Sequence, residues 1–369
     1  MANAGTIKIN FGEVMNLRWL LIFIPIGLAL PRMDANPILV FLVSALAIIP
    51  LSSLMGDATE ALARYMGPTV GGLLNATLGN APDIIIGFFA LKKGLVGMVK
   101  ASITGTILSN LLFGLGVSIL LGGLKSKRAM RFDIEASHLH GGLLLLVTIG
   151  LIVPAVFNFS TASENEISLE IAAVLFLAYL VSLVYTLTNQ SPDAENQFPM
   201  SEASAPGAEA GEISRNRALG LLLMVTLALA AMSEIMTTAV DPAARSLGFT
   251  PLFAGIFLLA LVGNTAELIN SVRFARRDQL DVCLGITLGG STQTALLVAP
   301  LLVFFGAATG QEMNLLFSKF EVVAIILTVS AVINILHLGS VRWISGSLLI
   351  GVYLMLGVGF YYAPSVGVH

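Results

Sequence analysis

The chain has 369 residues, 56% of them hydrophobic and only 11% charged, with a mean hydropathy of +0.90. A soluble domain is roughly 45–50% apolar, so this balance identifies an integral membrane protein whose first partner is the lipid bilayer. A net charge of −3 without a basic run interleaved with aromatics excludes a nucleic-acid partner, and the single cysteine, Cys283, excludes an intrachain disulfide framework or a zinc site.

Runs of about 20 Leu, Ile, Ala and Val residues suffice to cross a ~30 Å hydrocarbon layer as helices, and they lack the alternation of a membrane barrel. The expected fold is an all-α membrane bundle. In chain order its spans are expected near 17–33, 36–65, 69–92, 95–122, 136–158, 167–188, 216–240, 249–274, 279–306, 316–338 and 341–363, about eleven in all. The first, around "LRWLLIFIPIGLAL", is not followed by a small-residue cleavage site at "PRMDANP", so it reads as a retained helix and not a signal peptide. Internal Gly and Pro, at Pro82 and in the 285–290 run, predict broken helices.

Composition changes abruptly after the sixth span. "NQSPDAENQFPMSEASAPGAEAGEIS" carries Asp193, Glu195, Glu202, Glu209 and Glu212 with no Lys or Arg, which reads as a solvated acidic linker. The expected organisation is a region 1–35 with the first helix, a five-helix unit over 36–189, the linker over 190–215 and a second five-helix unit over 216–369.

The two units resemble each other without a gap across their most polar stretch. Adding 184 to the residue number carries Gly79, Asn80 and Asp83 of "GNAPD" onto Gly263, Asn264 and Glu267 of "GNTAE", Lys92 and Lys93 onto Arg276 and Arg277, and Gly105 onto Gly289. Five crossings is an odd number, so the second unit is expected to enter the membrane upside down, the inverted-repeat plan of many secondary transporters. With the N-terminus inside, thirteen of the 19 Lys and Arg residues fall on the inner side, which predicts a cytoplasmic N-terminus and linker and a C-terminus on the opposite face.

A carboxylate in the hydrocarbon region costs a few kcal/mol or more, so it faces a cavity, a partner or an ion. Asp83 and Glu267 are the principal candidates. At helical spacing, Asn80 lies on the face of Asp83 and Asn264 on that of Glu267, each pair offering hard oxygen ligands. The following spans add Ser102, Thr106 and Ser109 on one face, and Thr287, Ser291 and Thr294 on another, with Gln293 the counterpart of Ser109. Glu60, in "GDATEALA", is a candidate for an access path and equally for an interfacial residue. Glu234 and Glu321 join the expected mid-span acids, with no mid-span Lys or Arg to neutralise them, so the cavity is expected to select cations. His138, His140 and His337 lie near span ends and read as structural. Calcium accepts about six to eight mixed oxygen ligands, and no His/Cys cluster favours a softer metal.

On these residues the sequence resembles the calcium/proton exchangers of the cation/calcium antiporter superfamily. The resemblance runs through "NATLGNAPDIIIGFFALKKGLVGMVKASITGTILSNLLFGLG" and "GNTAELINSVRFARRDQLDVCLGITLGGSTQTALLVAPLLVF", and includes the acidic linker. It implies two inverted five-helix repeats and exchange of Ca2+ for H+ by alternating access, with Asp83 and Glu267 as ion-binding and proton-coupling acids. Asn80, Asn264, Ser109 and Gln293 are the implied supporting ligands, to which the face pattern adds Thr106 and Ser291. No cofactor is implied, since calcium and protons are substrates. The implied location is a prokaryotic plasma membrane, or a vacuolar-type membrane in a eukaryote. Two positions depart from the family pattern: Asp83 stands where Glu is usual, and Leu268 where His usually follows the second acid. The alternatives are an exchanger driven by sodium or specific for another divalent ion, and a passive cation channel, which two inverted halves suit less well. No motif of an intramembrane enzyme is present in the sequence.

Overall fold

The computed structural model describes residues 18–157, 164–188, 214–311 and 313–363, so the acidic residues of the linker lie outside the described residues. The helices in chain order are α1 (Trp19–Met33), α2 (Pro37–Leu78), α3 (Ala81–Lys92), α4 (Val96–Ser126), α5 (Ile134–Phe157), α6 (Glu164–Thr188) and α7 (Arg215–Ser246). After these come α8 (Pro251–Gly263), α9 (Thr265–Ala275), α10 (Leu280–Thr309), α11 (Lys319–Leu336) and α12 (Trp343–Tyr361). Among the described residues, 8 helices are long and apolar enough to cross a membrane, and 9 if the bent pair α8 and α9 forms one span. The chain is an integral membrane protein of almost purely helical structure.

Two of the expected spans are built differently. Helix α1 belongs to the shorter apolar helices and, with 3-10 turns at both ends, reaches only about 26 Å, less than a ~30 Å hydrocarbon layer. The region expected as one span over 69–92 is divided between the end of α2 and all of α3, with the break at Gly79–Asn80. Helix α2 is 42 residues long, about 63 Å if straight. It doubles back instead, because a Cβ built on Gly71 would meet the carbonyl oxygen of Ala63 at 2.7 Å, where a straight helix would separate the two by about 12 Å. Gly67 and Pro68, poor residues for a helix interior, lie between them. The break expected in the 285–290 run is absent. Helix α10 is continuous there, since glycine keeps its backbone N–H and can stay in the helical hydrogen-bond ladder.

Apolar packing gathers into two clusters. In one, Val40, Ile48 and Met55 of α2 meet Leu229, Met236 and Val240 of α7. In the other, Ile103 and Leu111 of α4 pack with Leu288 and Leu297 of α10, Val329 of α11 and Leu349 of α12. A short antiparallel ribbon, β1 (Met130–Arg131) with β2 (Ser340–Val341), joins the α4–α5 connection to the α11–α12 connection. His138 and His337 lie beside it with ring centroids 4.8 Å apart and planes tilted by 46°.

Candidate functional site

Both acidic motifs sit at helix breaks. Asn80 leaves helical geometry between α2 and α3 (φ −93°, ψ 6°), and Asn264 does the same between α8 and α9 (φ −89°, ψ 2°), where the chain bends by 61°. Asp83 and Glu267 therefore occupy the first turn of α3 and of α9, where unpaired backbone N–H groups and the helix dipole favour a carboxylate. Both acids are half-buried, and both asparagines are buried.

The two motifs meet crosswise. Asn80 Nδ2 donates to Gln293 Oε1 of α10 at 2.6 Å, and Asn264 Nδ2 donates to Ser109 Oγ of α4 at 3.0 Å. The asparagine of each half thus binds the polar residue contributed by the other. Asp83 Oδ1 lies so close over Gly263 that any Cβ there would collide with it, and a Cβ on Gly290 would lie 2.6 Å from Glu267 Oε2. Glycine at these positions lets one helix backbone approach the acid carried by another. Ser109 Oγ in turn donates to Thr106 O at 3.1 Å, and Thr106 and Thr294 line a cavity together with Asp83. Asn264 Oδ1 is buried without a hydrogen-bond partner among the described residues, which suits a group that ligates a cation.

The structure thus brings together Asp83, Glu267, Asn80, Asn264, Ser109, Gln293 and Thr106. Ser291 is fully buried and its hydroxyl donates back to Thr287 O at 2.8 Å, so its donor is spent within α10. Glu60 forms an ion pair with Arg64 one turn away on α2, so this acid does have a basic neighbour, contrary to the expectation of unneutralised charges. Glu234 is exposed on α7. Glu321 is not a mid-span acid. It caps the start of α11, accepting from Ser318 N at 2.8 Å and from Thr104 Oγ1 at 3.1 Å, because the first turn of a helix offers free N–H donors. Leu268, the departure after the second acid, packs over Gly114, where a built Cβ would lie 3.7 Å from Leu268 Cδ1.

The residue that sequence reasoning missed is Asn110, whose Nδ2 donates to Glu267 Oε2 at 2.8 Å. Asn110 stands four residues after Thr106 and eight after Ser102, on the face they share at ideal helical spacing, but a pattern read from hydroxyls alone passes over it. It lies at the start of the π-helical turn Ser109–Gly114, beside the buried Ser109. The available signal was a buried-type amide directly after Ser109 inside the apolar run "ILSNLLFGLG". Asn110→Ala is expected to weaken calcium binding about tenfold, since a hydrogen bond to a charged group contributes roughly 1.5–3 kcal/mol and 1.4 kcal/mol is tenfold. Titration calorimetry on the detergent-solubilised protein would measure this, and a change under about twofold would remove Asn110 from the site.

A sequence model of the family described as "Sodium/calcium exchanger protein" matches residues 36–188 and 217–362. A Ca(2+)/H(+) antiporter of Aphanothece halophytica is 38% identical over 360 residues, covering 94% of this chain and 96% of that protein. Vacuolar cation/proton exchanger 3 of Oryza sativa subsp. japonica is 37% identical, covering 95% of this chain and 86% of the relative. Among solved structures, native YfkE superposes with a TM-score of 0.80 at 30% identity over 95% of this chain and 100% of that one. The H+/Ca2+ exchanger CAX shares the fold, with a TM-score of 0.71 at 17% identity over 95% of this chain and 92% of its own.

Proposed function

The chain belongs to the sodium/calcium exchanger protein family, within its calcium/proton exchangers, and from that membership we propose that it exchanges Ca2+ for H+ across a membrane by alternating access. Asp83 and Glu267 carry the divalent ion. Asn80, Asn264, Ser109, Gln293 and Thr106 complete its oxygen shell, and Asn110 orients Glu267. The observation that carries this reading is the crosswise bonding of Asn80 to Gln293 and of Asn264 to Ser109, which assembles a single acidic site from two separate broken helices. An ion held between two such elements gains or loses ligands when they shift, as exchange requires and an open pore does not.

The architecture of the reading is one N-terminal helix followed by inverted repeats over 36–189 and 216–369. Its support is the common register of the irregular turns. The π-helical segments Ser109–Gly114 and Thr294–Val298 fall at corresponding positions under the 184-residue offset, as do the breaks at Asn80 and Asn264. The Lys and Arg distribution supports a cytoplasmic N-terminus and linker. Proteoliposomes with an imposed pH gradient in sodium-free buffer test the reading directly. An inward-acid or outward-acid gradient is expected to drive calcium uphill in the opposite direction to proton flow. Flux that ignores the pH gradient and follows a sodium gradient would replace proton exchange with sodium exchange.

A further inference from the structure

The exchange reading above requires the site to close on one side at a time, and α4 and α8 meet beside it at backbone distance. A Cβ built on Gly255 of α8 would lie 2.5 Å from both Met98 O and Ala101 Cβ of α4. One turn deeper, a Cβ on Gly105 of α4 would lie 2.6 Å from Ile256 Cα and 2.7 Å from Ala260 Cβ. The two helices run backbone against backbone between the Lys92–Val96 connection and the acidic site. Beside this contact, the cavity lined by Asp83, Ser102, Thr106 and Thr294 has a volume of about 10 Å³. That is room for one water molecule and far too little for a hydrated calcium ion. A hydrated calcium ion does not pass through a space of this size.

Under the 184-residue offset, Gly71 corresponds to Gly255 and Gly289 to Gly105, with Gly72 and Ala76 in the places of Ile256 and Ala260. The mirror-image contact is not made in this state. A Cβ on Gly289 would meet nothing within 4 Å, and one on Gly71 would face Ala63 O at 2.7 Å and not α10.

We propose that Gly105 and Gly255 are the seal that closes one side of the ion pathway, and that Gly289 and Gly71 form the mirror-image seal in the opposite state. Only a residue without a Cβ lets the site-bearing helices meet at backbone distance, so each pair fixes how completely its own side shuts. Gly289 then has a function that the present conformation hides. Its Cβ position is open now and becomes a collision when α10 closes against 71–76.

Gly289→Ala separates this proposal from a packing role. The structure leaves room for the methyl group, so the variant is expected to fold and to bind calcium like the parent, with proton-driven calcium flux in proteoliposomes reduced at least about tenfold. Gly351→Ala, another helical glycine with nothing within 4 Å of a built Cβ, is expected to keep parental flux. Gly105→Ala is expected to prise open the closed side. In a Cys283→Ala background, Ser102→Cys should then react faster with a membrane-impermeant maleimide applied from the side of the Lys92–Val96 connection. Parental flux in Gly289→Ala, loss of its folding, or unchanged Ser102→Cys reactivity in a folded Gly105→Ala protein would each overturn the seal. Absence of proton-driven flux in the parent would instead overturn the exchange reading itself.

Discussion

Asp83→Asn and Glu267→Gln are each expected to abolish calcium exchange in a protein that still folds. The amides keep the shape and volume of the acids and both positions are half-buried, so neither change opens a cavity. The cost falls on the ion. Two unit charges 4 Å apart at an effective dielectric of about 20 attract by roughly 4 kcal/mol, and a divalent ion doubles this. If desolvation cancels half, about 4 kcal/mol remains, a loss of nearly a thousandfold in affinity for one neutralised acid. Calorimetric titration would measure the affinity and vesicle flux the transport, with elution as a single species from a sizing column as the control for folding. Retained exchange at even a tenth of the parental rate in a well-folded variant would take that acid out of the site.

The second large effect is on pH dependence. Calcium and protons compete for the same carboxylates, because an acid must be ionised to ligate a metal and therefore releases its proton when calcium enters. Sign follows from mass action: lowering the pH favours the protonated empty site and weakens calcium binding, and raising it favours the ionised pair. Where the empty site holds one exchangeable proton, apparent calcium affinity is expected to fall about tenfold per unit drop in pH, and more steeply where two are displaced. Calorimetry in buffers of different ionisation enthalpy would count the protons released. Calcium affinity independent of pH in the parent, with no protons released, would break the coupling. This scheme needs no imidazole beside Glu267, which agrees with Leu268 packing against Gly114 and leaving the acid to Asn110.

Much of the candidate site was legible because its signals are violations of membrane chemistry. An acid inside an apolar run is costly, and "GNAPD" and "GNTAE" repeat that cost at a fixed offset together with an asparagine, a glycine and paired basic residues. Asp83, Glu267, Asn80 and Asn264 could be selected for that reason alone. Asn110 could not, since its role rests on a contact with Glu267 Oε2, 157 positions away along the chain. Ser291 and Ser109 both donate back to a carbonyl of their own helix, Thr287 O and Thr106 O, while Ser109 also accepts from Asn264 Nδ2. Hydroxyls have carbonyls of their own helix within reach, so spacing does not reveal which ones face the site.

By itself the sequence determined the membrane setting, the all-helical class, the doubled motif and the charge of the site, because these depend on composition and on which residue types hydrocarbon tolerates. Only the tertiary structure decided that α2 folds back on itself near Gly67, that each asparagine binds a partner from the other half, and that Glu321 caps α11 instead of facing an ion. It also decided that α4 and α8 meet through Gly105 and Gly255 while Gly289 has open space beside it. Two halves with matching motifs have matching local preferences. The difference between them in any one state comes from which helices are packed together, and that depends on contacts between residues more than a hundred positions apart along the chain.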